Sequence, residues 1–100
     1  MAAYIISDVT THDEASASAY RERAARAIAQ HGGKYLARAG VIEVLEGSWS
    51  PRAIVIVEFP DMAKARAWYR SADYAEALKF RDAALSRDLI LVDGVSHQIE

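Results

Sequence analysis

The sequence predicts an α+β domain of the ferredoxin-like kind, with element order β-α-β-β-α-β. Two observations carry this reading. Apolar runs of strand length and stretches of helical periodicity follow one another in that order. Cap and turn residues stand at most of the junctions between them. The 100 residues are enough for one domain and too few for two.

Taken in order, residues 4–9 are a short β-rich apolar run and read as the first strand. A helix follows from Thr11. Thr11 and Glu14 have capping-box spacing, so that hydroxyl and carboxylate each satisfy an unpaired backbone N–H. Its apolar stripe is Ala17, Tyr20, Ala24, Ala27 and Ile28, and it runs to about Gln30. Gly32 and Gly33 end it, because glycine accepts the left-handed conformation of a helix C-terminus. Residues 34–39 are strand-like and 41–46 continue them, with a bulge or bend at Gly40. Residues 47–51 form a turn. Residues 52–59 are the strongest strand: Ala53, Val55, Val57 and Phe59 point one way, and Arg52, Ile54, Ile56 and Glu58 the other.

Pro60 and Asp61 break that strand, and Asp61 caps a second helix with Met62, Ala65, Trp68 and Tyr69 inside. The helix is interrupted at 71–73, where Ser71 or Asp73 can cap a fresh start. Tyr74, Ala77, Leu78, Arg81 and Leu85 form the next stripe. Residues 89–92 are the last strand. The domain thus covers 1–95, with 96–100 a weakly patterned tail. Right-handed crossovers fold this order into a four-stranded antiparallel sheet with both helices on one face. The strand at 52–59 is apolar on both faces, so the bare face needs cover. A second copy related by two-fold symmetry supplies it, and a homodimer is expected.

Composition bounds the partners. Hydrophobic residues make up 52% and charged residues 26%, a globular balance. The net charge of −2 argues against a nucleic-acid binder, whose footprint is a basic face. There is no cysteine, which excludes disulfides and thiolate chemistry. A secreted domain of this size generally carries disulfide staples, so a cytoplasmic location is expected. The first residues lack a basic signal-peptide start, and no apolar run has the length of a membrane span.

The runs Gly33-Lys34-Tyr35-Leu36-Ala37-Arg38, Glu46-Gly47-Ser48-Trp49, Val57-Glu58-Phe59-Pro60 and Trp68-Tyr69-Arg70-Ser71-Ala72-Asp73-Tyr74, followed by Arg81, resemble the domain-of-unknown-function family numbered thirteen-thirty. The resemblance extends over residues 4–94. It implies membership of the dimeric α/β-barrel superfamily, whose members include cofactor-independent monooxygenases, small lyases and isomerases, and haem-handling proteins. It implies the fold and the dimer. It implies no activity, because the family has none assigned and fold alone licenses none.

Glu58 is the candidate catalytic residue. It ends an apolar strand, where a carboxylate with a raised pKa can act as acid or base. A solvated or paired glutamate at a sheet end is the plainer reading. Arg38 and Arg52 are candidate partners of an anionic ligand, with salt bridges as the alternative. Glu58 is expected to meet Arg38 first and Arg52 second, and Glu46 to face Arg52 across the hairpin. Tyr35 and Tyr74 are the candidate orienting donors for a small organic or aromatic acid, a choice that rests on the family resemblance. Trp68 reads as core. His12, His31 and His97 have no metal-ligand spacing, so neither metal nor cofactor is expected. Three functions stay open: a cofactor-independent enzyme, a non-catalytic binder or sensor, and a structural dimerisation module.

Overall fold

The computed structural model describes residues 1–95; the tail read at 96–100 lies outside the described residues. The elements are β1 (Ala3–Thr11), α1 (Glu14–Gln30), β2 (Lys34–Arg38), β3 (Ile54–Phe59), α2 (Met62–Tyr69), α3 (Ala72–Ala84) and β4 (Leu85–Asp93). The sheet order is β2-β3-β1-β4, with every neighbouring pair antiparallel. This is the ferredoxin-like α+β fold, with the second helix of the pattern split in two at Ser71.

Two helix caps follow the sequence. The Asp61 carboxylate accepts from Lys64 N at 2.7 Å, and the Ser71 hydroxyl accepts from Tyr74 N at 3.0 Å. The first helix does not begin at Thr11. Thr11 is the last residue of β1, paired with Leu85, and Asp13 is the cap, accepting from Ser16 N at 2.9 Å. Extending β1 satisfies Thr11 in the sheet, so the capping-box pairing is not used. Gly32 takes the left-handed conformation at φ 81° and closes α1. A Cβ on Gly33 would meet the Phe59 ring at 2.8 Å, so glycine there lets the chain pass close to the core.

The second strand is shorter than its sequence suggests. β2 stops at Arg38, and residues 40–53 form no strand. The irregularity lies between Tyr35 and Ala37 rather than at Gly40, and Ala39 carries the positive φ of 57°. The segment beyond is held at its root. Asp8 accepts from Arg52 N at 2.9 Å, Ala53 N at 3.4 Å and Trp49 Nε1 at 3.3 Å. Glu46 and Arg52 form no ion pair, because they do not belong to a hairpin. The last strand is longer than expected: it starts at Leu85, directly after α3, and pairs with the whole of β1.

All three helices lie over one face of the sheet. Ala3, Ile5 and Ser7 of β1, with Val57 and Phe59 of β3, are buried beneath them. The Trp68 ring packs against Tyr74 with centroids 4.2 Å apart and against Phe59 at 5.5 Å. The opposite face carries Tyr4, Ile6, Ile54, Ile56, Ile90 and Val92 in register across three strands. In the single chain Ile90 is 55% exposed and Val92 40%.

Candidate functional site

Between α1 and the sheet lies a cavity of about 130 Å³. Its walls are mainly apolar, from Ile5, Val9, Ala24, Val55, Val57 and Leu89. The polar groups that reach it are Ser7, Thr11, Tyr20, Tyr35, Trp68 and the arginines Arg21, Arg38 and Arg87. Among the described residues no aspartate or glutamate lines it. Arg21 is already paired with Glu14 on its own helix. Neither Arg38 nor Arg87 has a carboxylate within ion-pair distance among the described residues.

Arg87 is set by three elements at once. It sits on β4 opposite Val9, on the helix-facing side of the sheet. Its guanidinium donates to the hydroxyls of Tyr20 on α1 and Tyr74 on α3. Those two hydroxyls bond each other at 2.6 Å. Tyr74 is wholly buried and is fixed at the start of α3 by the Ser71 cap. Burial pushes the Tyr74 phenol well above its ordinary value, the neighbouring Tyr20 adds to this, and Arg87 opposes it. The Tyr74 phenol therefore stays neutral and holds the guanidinium without cancelling its charge. A guanidinium has five N–H donors, so two bonds to phenols leave others unused. Where Tyr74 donates to Tyr20, the Tyr20 O–H is left for the cavity.

At the other end, the Arg38 guanidinium stacks over the Tyr35 ring at 4.3 Å. Burial pushes the Tyr35 phenol up, against the pull of Arg38. The bulge between Tyr35 and Ala37 brings both side chains to the helix face. Tyr35 stands opposite Val57 and Arg38 opposite Val55. A regular strand would place residues three apart on opposite faces. The floor holds the Trp68 indole, 2% exposed, whose Nε1–H has no acceptor among the described residues.

The sequence candidates divide accordingly. Tyr35 and Arg38 meet at the cavity, and Tyr74 stands directly behind it. Glu58 lies on the opposite face of the sheet, level with Tyr4 and Lys34, and pairs with Lys34 Nζ at 3.2 Å. The expected meeting of Glu58 with Arg38 is not made, because the two occupy opposite faces. Arg52 engages Asp8 through its backbone N–H, at the root of the segment 40–53. Trp68 and Tyr20 are buried as the sequence reads them, as core and as part of the α1 stripe, but not as site residues, and Arg87 has no sequence reading. The signal for Arg87 is its place in Leu85-Ser86-Arg87-Asp88-Leu89-Ile90-Leu91, on the inward register of Leu85, Leu89 and Leu91. Among the described residues no group of three or more His, Asp or Glu is placed to hold a metal ion. Among the described residues no helix is long and apolar enough to cross a membrane.

The family model described as "Domain of unknown function (DUF1330)" matches residues 2–95, and the chain belongs to that family. Comparison with curated proteins finds no match. Among solved structures the chain is similar to a protein of unknown function from Rhodopseudomonas palustris, at 20% identity and TM-score 0.75, covering 95% of this chain and 83% of that one. It is similar to SnoaB, a cofactor-independent oxygenase from Streptomyces nogalater, at 14% identity and TM-score 0.65, covering 99% and 98%. It is also similar to a dimeric ferredoxin-like protein of unknown function from Bacteroides fragilis, at 11% identity and TM-score 0.60, covering 93% and 96%. At these identities the likeness shows the fold.

Proposed function

We propose that this member of the family binds a small, largely apolar organic anion, an aromatic or acyl carboxylate or its enolate, in the cavity between α1 and the sheet. The observation that carries the reading is the charge of the lining: arginines without a single carboxylate among the described residues, in a chain whose net charge is −2. Arg87 is half-buried with no counter-ion among the described residues, which is costly, and an anionic ligand offsets that cost. The size agrees, since an apolar cavity of about 150 Å³ takes up benzene. Arg87 and the Tyr20 hydroxyl face the anion, Arg38 guards the opening beside Tyr35, and the Trp68 N–H offers a second donor.

Benzoate and 2-hydroxybenzoate against benzamide, followed by Trp68 fluorescence in a Trp49→Phe background, test it. The acids should quench or shift the emission at micromolar to millimolar concentration, and the amide should not. Arg38→Gln and Arg87→Met should each weaken the acids about tenfold or more, as loss of a charged hydrogen bond predicts. Equal binding of acid and amide would sink the reading.

A second reading is a cofactor-independent enzyme. A site that stabilises an enolate or phenolate holds the electron-rich form of a substrate that reacts with dioxygen directly, and the likeness to an oxygenase of that kind supports it. Oxygen uptake on adding such a substrate separates the enzyme from the binder. The outer sheet face, with Ile6, Ile56 and Ile90 in one register row, supports a homodimer closed through that face.

A further inference from the structure

The helix-facing side of β1 is apolar except at one position. It presents Ala3, Ile5, Ser7 and Val9, and the strands beside Ile5 and Ser7 present Val55, Val57, Leu89 and Leu91. Ser7 is 5% exposed, the one wholly polar side chain buried among the described residues. It lines the cavity and makes no side-chain hydrogen bond among the described residues. The Trp68 N–H reaches the same cavity, also without a partner. A buried hydroxyl or N–H left unpaired costs stability, and an apolar side chain at position 7 would avoid that cost.

The register of the sheet sets Ser7 between the two arginines. Arg38, Val55, Ser7 and Leu89 stand in one row across the four strands. Ser7 is therefore two strands from Arg38, about 10 Å. Arg87 lies two residues from Leu89 on β4, so it is a diagonal neighbour of Ser7, about 7–8 Å away between backbones. One aromatic ring with a substituent at each end fits that span. We infer that Ser7 and Trp68 form a second polar subsite, which selects acids carrying an oxygen substituent on the side away from the carboxylate. The ligand class is a hydroxyaryl or oxo carboxylate. Its carboxylate lies against Arg87 and the Tyr20 hydroxyl, and its second oxygen reaches the middle of the sheet. Trp68 only donates, whereas Ser7 donates and accepts. A phenol answers both, accepting from Trp68 and donating to Ser7; a keto oxygen accepts from both. A methyl group answers neither and leaves both unpaired. The inference rests on the anion reading above and narrows it to a substrate class.

Calorimetric titration with 3- and 4-hydroxybenzoate, against benzoate and the 3- and 4-methylbenzoates of matching shape, tests it. At least one hydroxy acid should bind about tenfold more tightly than its methyl counterpart, because a site built around a ligand hydroxyl rejects the analogue that lacks it. Ser7→Ala and Trp68→Phe should each bring that preference close to parity. Without ligand, Ser7→Ala should melt no lower than the wild type, since it removes an unpaired hydroxyl. A serine that merely supports the fold would instead lower the melting temperature and leave the preference intact. Should Trp68→Phe lose its fold, Ser7→Ala decides alone. Binding of benzoate by the wild type with no preference for either hydroxy acid, or a preference that survives Ser7→Ala, overturns the subsite and leaves the anion reading standing. Failure of every acid to bind the wild type overturns both.

Discussion

Removing one oxygen atom from Tyr74 isolates the network that holds Arg87. In Tyr74→Phe the ring is kept, and with it the packing on Trp68 at 4.2 Å. The bond to Tyr20 at 2.6 Å and the bond from Arg87 are lost. A neutral hydrogen bond contributes about 1 kcal/mol net and one to a charged group about 1.5–3 kcal/mol. The substitution should therefore cost about 2–4 kcal/mol. A domain of this size has about 5–15 kcal/mol in all, so that is a large fraction. At about 4–8 °C per kcal/mol the melting temperature should fall by about 8–32 °C. Urea unfolding followed by far-UV circular dichroism, at one fixed protein concentration, measures it. Tyr69→Phe is the control, because Tyr69 is 43% exposed and its hydroxyl is outside the network. A loss below about 0.5 kcal/mol, the size of an ordinary surface change, would mean that the hydroxyl does not anchor the arginine, and the site would need another explanation.

Three further outcomes follow from the same geometry. Stability should fall as pH rises above about 10: the unfolded phenol releases its proton there, whereas buried Tyr74 holds its proton to higher pH, so the unfolded state gains; Tyr74→Phe should flatten that limb. Ser71→Ala should cost about 1 kcal/mol through the lost cap at Tyr74 N, and it should also weaken acid binding, because the cap positions Tyr74 behind Arg87. Ile56→Asp should give a folded monomer of 11.0 kDa by light scattering, since an unpaired carboxylate on a closed sheet face costs several kcal/mol.

The parts of the fold that could be read from the chain are those decided by local pattern. The stripe Ala17, Tyr20, Ala24, Ala27 and Ile28 is the buried face of α1 residue for residue. Asp61 and Ser71 cap where their side chains and the following periodicity say they should. The alternation at 54–59 gives both faces of β3 correctly. What could not be read depends on long-range pairing. The run 41–46 has the composition of a strand, but no neighbour among the described residues of its own chain pairs with it, and composition cannot supply a neighbour. Thr11 has cap spacing, but β4 reaches far enough to claim it for the sheet.

The site was hidden by a related effect. Glu58 drew notice as a charge at the end of an apolar strand, whereas Arg87 is a charge inside one, between Leu85 and Leu89, and it breaks the apolar run by which β4 would have been recognised along its length. The same residue conceals the strand and makes the site. Its partners explain why the position tolerates it. A carboxylate facing Arg87 would satisfy the guanidinium and leave a neutral, closed pair with nothing to offer a ligand. Two phenols, that of Tyr74 held neutral by burial, orient the guanidinium through hydrogen bonds and leave its positive charge open toward the cavity. Replacing Tyr20 with an acid should accordingly abolish binding of anions while keeping the arginine in place. For Tyr20→Glu, retained benzoate affinity would show that the anion is held by Arg38 at the opening, and that Arg87 belongs to the framework of the fold.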